Sequence, residues 1–107
     1  GIWDQFMNQN FAYLLKRLKD APEGEGSVLD NSLIMYGCST STTHLAKNYP
    51  LILAGGKNMG LEHGYFRKFD ENKVRLSDMY VTMLNTLDVP TAKFGDSTGE
   101  LNDILRV

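Results

Sequence analysis

The sequence predicts a single α/β domain over residues 1–107, in which two amphipathic helices flank short strands. Three observations support this prediction. Apolar residues recur at helical spacing towards both ends of the chain, and two short, unbroken apolar runs lie between these patterns. The resulting order is helix, strand, long loop, strand, weak strand and helix, which is typical of layered α/β proteins.

The first predicted helix covers residues 2–20. Pro22 follows its end, and basic residues collect in its last turns, where they suit the negative end of the helix dipole. We expect its apolar stripe to pack on a core, and a partner-binding or membrane-surface helix is the alternative. The residues of the stripe are Trp3, Met7, Phe11, Leu14 and Leu18, widened by Phe6 and Leu15.

Two apolar runs predict buried strands. Leu33 to Tyr36 follows a turn-rich loop over residues 22–31, and Pro50 to Ala54 begins with a proline, where the missing N–H does least harm. Neither run alternates between apolar and polar residues, which favours strands buried on both faces, as in a parallel sheet. Because two such strands are too few for a stable sheet, we expect neighbouring strands to come from elsewhere.

The second half of the chain predicts one more weak strand and the second helix. Residues 64–69 alternate weakly, which indicates an edge strand or a hairpin arm, and a turn is predicted at residues 70–72. Ser77 or Asp78 is expected to cap the helix that follows, and residues 88–90 end it. The apolar positions of this helix are Leu76, Met79, Tyr80, Met83, Leu84 and Leu87.

The tail, from Phe94 onward, is predicted to be an extended loop with one helical turn at Leu101 to Leu105. Within it, Asp96 to Gly99 has the composition of a turn in which Asp and Ser bond the local backbone, and a docking or binding role for this turn is an open hypothesis.

Composition argues against several classes of function. The net charge is −2 and the basic residues are dispersed, so we expect no nucleic-acid partner. No apolar run approaches the roughly 20 residues of a membrane span. The one cysteine, Cys38, permits no intrachain disulfide, and with two histidines it is too small a ligand set for a structural zinc site unless carboxylates contribute.

The loop over residues 37–49 holds the residues best suited to chemistry. His44 is a candidate metal ligand, because α/β proteins place ligands beyond the ends of their strands; a loop or core histidine is the alternative. Cys38 lacks the context of a nucleophile, so we expect a small buried apolar residue. The hydroxyl residues 39–43 could bind an anion or form a solvated loop.

Two further features have simpler interpretations. Gly55-Gly56-Lys57 is only loosely similar to a phosphate-binding loop, so its glycines are expected to turn the chain. His63 is expected to lie at the surface.

Several stretches resemble, in order, the C-terminal part of a bacterial family of unknown function that is named for an HxxSHH motif. The matching stretches are AYLLKRLKDAPEGEGSVLDNSLIMYG, NYPLILAGG and FGDSTGELND, the last following Val89-Pro90; HxxSHH itself does not occur. The order of segments is also similar to the end of alkaline-phosphatase-like enzymes, including sulfatases. Asp78, Thr82 and Leu84 match the closing helical pattern of those enzymes, D-x-x-x-T-L-L.

This resemblance implies a partial alkaline-phosphatase-like sheet with flanking helices, as the C-terminal portion of a larger domain. The Asp-His-Gly metal-binding turn of the enzymes is replaced by Gly37-Cys38-Ser39, and Ala46 stands where the family has the second histidine of an H-x-H pair. His44 is therefore the one metal ligand that the resemblance implies. It also implies a divalent metal, zinc or calcium, in a full-length protein, and an exported or periplasmic location.

The sequence therefore predicts a C-terminal α/β module that is not catalytic by itself. Its expected partner is its own N-terminal half or a second copy. One alternative is a part of a metal-dependent hydrolase of phosphate or sulfate esters, with the rest of the site in a missing N-terminal half. The other is a small self-associating domain that uses its sheet edges and the face of Trp3, Phe6 and Met7.

Overall fold

The computed structural model describes residues 1–106 and is a mixed α/β structure, as predicted. It contains two α-helices and two small antiparallel sheets of two strands each, β1 with β2 and β3 with β4. The elements are α1 (Ile2–Asp20), β1 (Pro22–Glu23), β2 (Gly26–Ser27), β3 (Leu33–Gly37), β4 (Leu51–Gly55) and α2 (Leu76–Thr86).

The β3–β4 sheet lies between the two helices. Side chains alternate between the two faces of a strand, so Leu51 and Leu53 share one face, while Tyr36 points to the other. The ring of Phe11 in α1 stacks on the ring of Tyr36, with centroids 4.5 Å apart. On the opposite face, the two leucines pack against a small core around Met79 of α2. The layers are therefore helix, sheet and helix.

Two predictions about the strands are wrong. The strands β3 and β4 pair antiparallel rather than parallel. They are also not buried on both faces, because Met35 is 39% exposed and Ile52 is 48% exposed. An apolar run without alternation indicates only that both faces of a strand are apolar, and here the short sheet and its helices cover those faces incompletely.

Two connecting segments also differ from expectation. Residues 64–69, predicted as an edge strand or hairpin arm, form no strand, and Phe66 within them is 90% exposed, so their alternation buries little. The loop over residues 22–31 is more ordered than predicted. It contains the β1–β2 hairpin and a 3-10 turn over Val28–Asn31, in which Asp30 accepts a hydrogen bond from the backbone N–H of Ser27.

The core lies between α2 and the tail. Its buried apolar residues are Leu61, Met79, Val81, Leu101 and Ile104. The tail forms a 3-10 turn at Asn102–Ile104, which confirms the predicted helical turn. Helix α2 begins at Leu76, and the predicted N-cap position is wrong, because Arg75 rather than Ser77 or Asp78 is the N-cap. Asp78 lies in the first turn and its carboxylate accepts the backbone N–H of Arg75. Among residues 1–106, neither helix has the length and apolarity to cross a bilayer.

Candidate functional site

An apolar groove of about 590 Å³ runs beside strand β4. The groove is lined by β4 with the residues that precede it, by the segment 62–69, and by Met79, Leu101 and Ile104. Leu51, Leu53 and Met35 share one face of the sheet and line the groove, so the groove covers part of that face. Ile52, whose side chain points to the other face, also lines the groove, which therefore reaches the edge of β4.

The edge of β4 along this groove has no strand partner within residues 1–106, where β4 pairs only with β3. The residues of β4, Leu51–Gly55, include no charge and no proline, the features with which proteins usually protect a strand edge. At one end, His63 Nε2 lies 2.6 Å from the carbonyl oxygen of Gly55, to which it donates. His63 is exposed, as predicted.

The segment 62–69 supplies aromatic side chains and paired charges to the groove. The guanidinium of Arg67 lies 4.4 Å from the ring centroid of Tyr65. It also pairs with Glu62 at 3.7 Å and with Asp103 at 3.3 Å. These partly exposed pairs contribute little stability, but they leave this rim close to neutral. The groove therefore combines a largely apolar lining with a rim of paired charges.

A second arrangement, the polar seam, consists of Asp78, Thr82 and Asn85 on one side of α2. Asp78 is 5% exposed, and its carboxylate accepts three backbone N–H groups. Oδ1 accepts from Thr98 at 2.7 Å and from Gly99 at 3.1 Å, and Oδ2 accepts from Arg75 at 2.9 Å. Burial by itself raises the pKa of Asp78, but these donors outweigh it and hold the pKa below its usual value.

The other two residues of the polar seam also bind backbone groups that follow α2. Thr82 Oγ1 accepts the backbone N–H of Leu101 at 2.8 Å. The side-chain amide of Asn85 exchanges two hydrogen bonds with the backbone of Thr91, at 2.7 and 3.1 Å. The spacing i, i+4, i+7 places the three side chains on one side of the helix. This spacing is the sequence signal for the seam. The tail-binding role of Asp78 and Thr82 was not predicted from it, and Asn85 was not among the predicted site residues.

The turn Asp96 to Gly99 is docked within the chain itself. Ser97 Oγ accepts the backbone N–H of Phe94 at 2.9 Å, as expected for local turn chemistry. Asp96 instead accepts a hydrogen bond from the hydroxyl of Ser77 at 2.7 Å, so the expectation of a local bond is wrong for this residue. Because Asp78 occupies two backbone N–H groups of the turn, they are not available to an external anion.

The loop that carries His44 has an unusual backbone. Thr43, His44 and Asn48 have φ values of 59°, 60° and 52°, and a left-handed conformation is costly for a β-branched residue such as threonine. The His44 side chain is exposed. Within residues 1–106, no three His, Cys, Asp or Glu side chains come close enough to hold a metal ion. The role of His44 as a metal ligand stays a prediction.

Other candidates from the sequence have structural surroundings that define them. Cys38 is exposed, so its predicted burial is wrong; β3 ends at Gly37 and the loop leaves the sheet there. Gly55 and Gly56 turn the chain with φ values of 78° and 70°, as predicted. In the 39–43 run, the hydroxyls of Ser41 and Thr43 donate to carbonyls of their own loop. The anion-binding hypothesis stays untested.

Comparisons of this chain with family models, with curated proteins and with solved structures find no match.

Proposed function

We propose that this chain is a non-catalytic α/β module of an alkaline-phosphatase-like protein, and that it serves to extend a larger sheet. In this proposal, the groove receives an extended strand that pairs with β4. The observation that carries the proposal is the edge of β4 that has no strand partner within residues 1–106 and borders an apolar groove. The strand comes from the N-terminal half that the family resemblance implies.

Physical reasoning supports a strand as the occupant. A two-stranded sheet is marginally stable in water, and each added strand gains both main-chain hydrogen bonds and burial of alternate side chains. The groove is lined by residues of β4, which has one edge without a strand partner within residues 1–106, and by apolar side chains. A flat, uncharged strand edge is also a liability to aggregation unless a partner covers it.

The non-catalytic part of the proposal rests on the residues after β3. Gly37 and Cys38 stand where the similar enzymes carry their Asp and His ligands; glycine offers no ligand atom, so at most one thiolate replaces the pair. A two-metal ester hydrolase needs several His and carboxylate ligands to hold its ions. Among residues 1–106, His44 belongs to no cluster of three or more potential metal ligands.

The test of the sheet proposal is amide hydrogen exchange on residues 51–55. The chain alone is compared with the full product of its gene. We expect protection of the outward-facing amides of β4 to rise at least about tenfold in the longer protein, because each gains a hydrogen-bond partner. Val81 and Thr82, already buried in α2, report any general change in stability. The proposal is contradicted if the exchange of residues 51–55, measured relative to Val81 and Thr82, is the same in both proteins. It is also contradicted if the gene encodes no further strand.

Zinc titration tests the non-catalytic part separately. We expect the full gene product and its His44→Ala variant to bind zinc equally, with His63→Ala as the matched control for loss of an exposed imidazole. If zinc binds stoichiometrically and the binding is lost only in His44→Ala, the non-catalytic part of the proposal is wrong and the ester-hydrolase alternative is favoured.

A further inference from the structure

We propose that the exposed apolar face of α1 is a dimer interface, and that its occupant is α1 of a second copy of this chain, packed antiparallel about Asn10. This inference goes beyond the proposed function and does not depend on it, because it concerns the opposite side of the sheet from the groove. The residues that form this face, here called the α1 face, are Ile2, Trp3, Phe6, Met7, Tyr13 and Leu14, with Asn10 at the centre and Arg17 at the end.

The area of the α1 face is that of an interface. Its six apolar residues are between 37% and 89% exposed. If a large side chain offers about 150–250 Å², the six together leave on the order of 700 Å² uncovered. The largest apolar patch of a typical monomer is about 300–600 Å². A stable dimer buries about 800 Å² per partner, which the α1 face nearly supplies by itself.

The α1 face is distinct from the side of α1 that packs on its own domain. Phe11, Leu15 and Leu18 are half-buried, and Phe11 stacks on Tyr36 of the sheet. At 100° per residue, the α1 face is centred about 110° around the helix from these three side chains. A second helix can therefore approach the α1 face without displacing the sheet.

The α1 face is complementary to itself in one arrangement. When two copies of α1 run antiparallel about a two-fold axis through Asn10, residue numbers that sum to 20 lie at the same level. Phe6 then meets Leu14 of the second copy, Trp3 meets its Arg17, and Asn10 meets Asn10. These positions all lie within about 40° of Asn10 on the helical wheel. Apolar surface thus covers apolar surface, and the guanidinium lies against the indole ring.

Charge favours the antiparallel direction. A parallel pair sets Arg17 against Arg17 and adds the two helix dipoles, whereas an antiparallel pair separates the two arginines and opposes the dipoles. A single polar residue at the centre of an apolar helix seam also fixes the register, because two facing Asn side chains can bond each other only when aligned. In the single chain, Asn10 Nδ2 donates to the carbonyl of Phe6 at 2.8 Å, and its side-chain oxygen remains as an acceptor.

The first experiment is sedimentation velocity on the full chain from about 1 to about 200 μM, a range that covers the affinities of ordinary dimers. We expect a monomer–dimer equilibrium whose Kd rises at least tenfold in Phe6→Lys. Phe66→Lys is the matched control, because Phe66 is equally apolar and 90% exposed but lies in the groove. Circular dichroism checks that each variant is folded.

Two outcomes overturn the proposal. One is a monomer at every concentration. The other is a dimer that Phe66→Lys abolishes and Phe6→Lys leaves intact, since the groove is then the interface. A second matched pair tests the α1 face itself: Arg17→Glu is expected to weaken the dimer several-fold, whereas Lys19→Glu, on another side of α1, leaves Kd unchanged.

The register is tested by cross-linking in a Cys38→Ser background, because Cys38 is an exposed thiol. In helices packed about 8–10 Å apart, facing Cα atoms on the two-fold axis lie roughly 4–5 Å apart, which a disulfide spans. With diamide as the oxidant of the two thiols, we expect Asn10→Cys to form a covalent dimer and Asn8→Cys, which points away, to remain monomeric. A mixture of Phe6→Cys and Leu14→Cys chains is expected to form the mixed dimer, and failure to do so rejects the antiparallel arrangement.

Discussion

Helices α1 and α2 arise from the same kind of sequence pattern, but their surroundings differ. Helix α2 buries five residues, including Val81 and Thr82, against the sheet and the tail. In α1, none of residues 2–20 is fully buried, and Trp3 and Phe6 at its start are largely exposed. Apolar periodicity therefore determines that a helix forms and which of its sides is apolar, while the segments that pack on the helix determine what covers that side.

The polar residues of the two helices differ in the same way. In α1, Lys16 and Asp20 form a local pair, with both side chains more than half exposed, and such exposed i, i+4 pairs contribute little stability. In α2, Asp78 and Thr82 of the polar seam bind backbone groups about twenty residues further along the chain, in surroundings that are largely shielded from water. Removing a seam residue therefore leaves buried donors without partners, which costs more than the loss of a surface pair.

Among the substitutions proposed in the two helices, Asp78→Ala is expected to have the largest effect on the free energy of unfolding. The substitution leaves the backbone N–H groups of Arg75, Thr98 and Gly99 without their acceptor. We expect the free energy of unfolding to fall by about 3 kcal/mol, because hydrogen bonds to a buried charge are among the strongest in proteins. Urea unfolding followed by circular dichroism measures the change.

Asp96→Ala is the matched control for this variant. Asp96 is also an aspartate that accepts hydrogen bonds near the start of α2, but its side chain is 74% exposed. We expect it to cost less than about 1 kcal/mol. If both variants cost the same, burial is not what makes the polar seam important.

The bounds of several helices and strands were predictable from the sequence, whereas the contacts between distant segments were not. The bounds predicted for α1, β3 and β4 agree with the structure to within one residue, because periodicity and proline act over a few positions. The antiparallel pairing of β3 with β4 and the exposure of Cys38 depend on contacts between distant segments. The polar seam was overlooked for the same reason: Asp78 resembles an ordinary helix cap until the tail is placed against it.

The second prediction concerns pH. The pKa of Asp78 is lower in the folded chain than its ordinary value of 3.8. Its stabilising contribution is therefore fully present above pH 3.8 and is lost as the pH falls through the folded-state pKa. We expect a smaller loss than in Asp78→Ala, because a protonated carboxyl still has one oxygen free to accept.

Urea unfolding between about pH 2 and pH 7 measures this dependence, in high salt so that the exposed carboxylates of Asp4 and Asp20, whose pKa values are also lowered, are screened. Asp78→Asn is expected to have a flatter profile than the natural sequence. Parallel profiles for the two proteins show that Asp78 does not carry the acid sensitivity.

The smallest predicted changes in stability distinguish the side of α1 that packs on the sheet from its exposed side. Phe11 stacks on Tyr36 of the sheet, whereas Phe6 is 53% exposed and its aromatic neighbour is Trp3 of the same helix, at 5.8 Å between ring centroids. We expect Phe11→Ala to lower the free energy of unfolding by about 1–2 kcal/mol and Phe6→Ala by less than about 0.5 kcal/mol in the monomer. Urea unfolding at roughly 1 μM protein keeps association small.

At higher concentration, the cost of Phe6→Ala should rise while that of Phe11→Ala stays constant, because only the first removes a contact that a second copy supplies. A Phe6→Ala cost that is large at every concentration means that α1 is covered by its own chain, and the contrast between the two helices then fails.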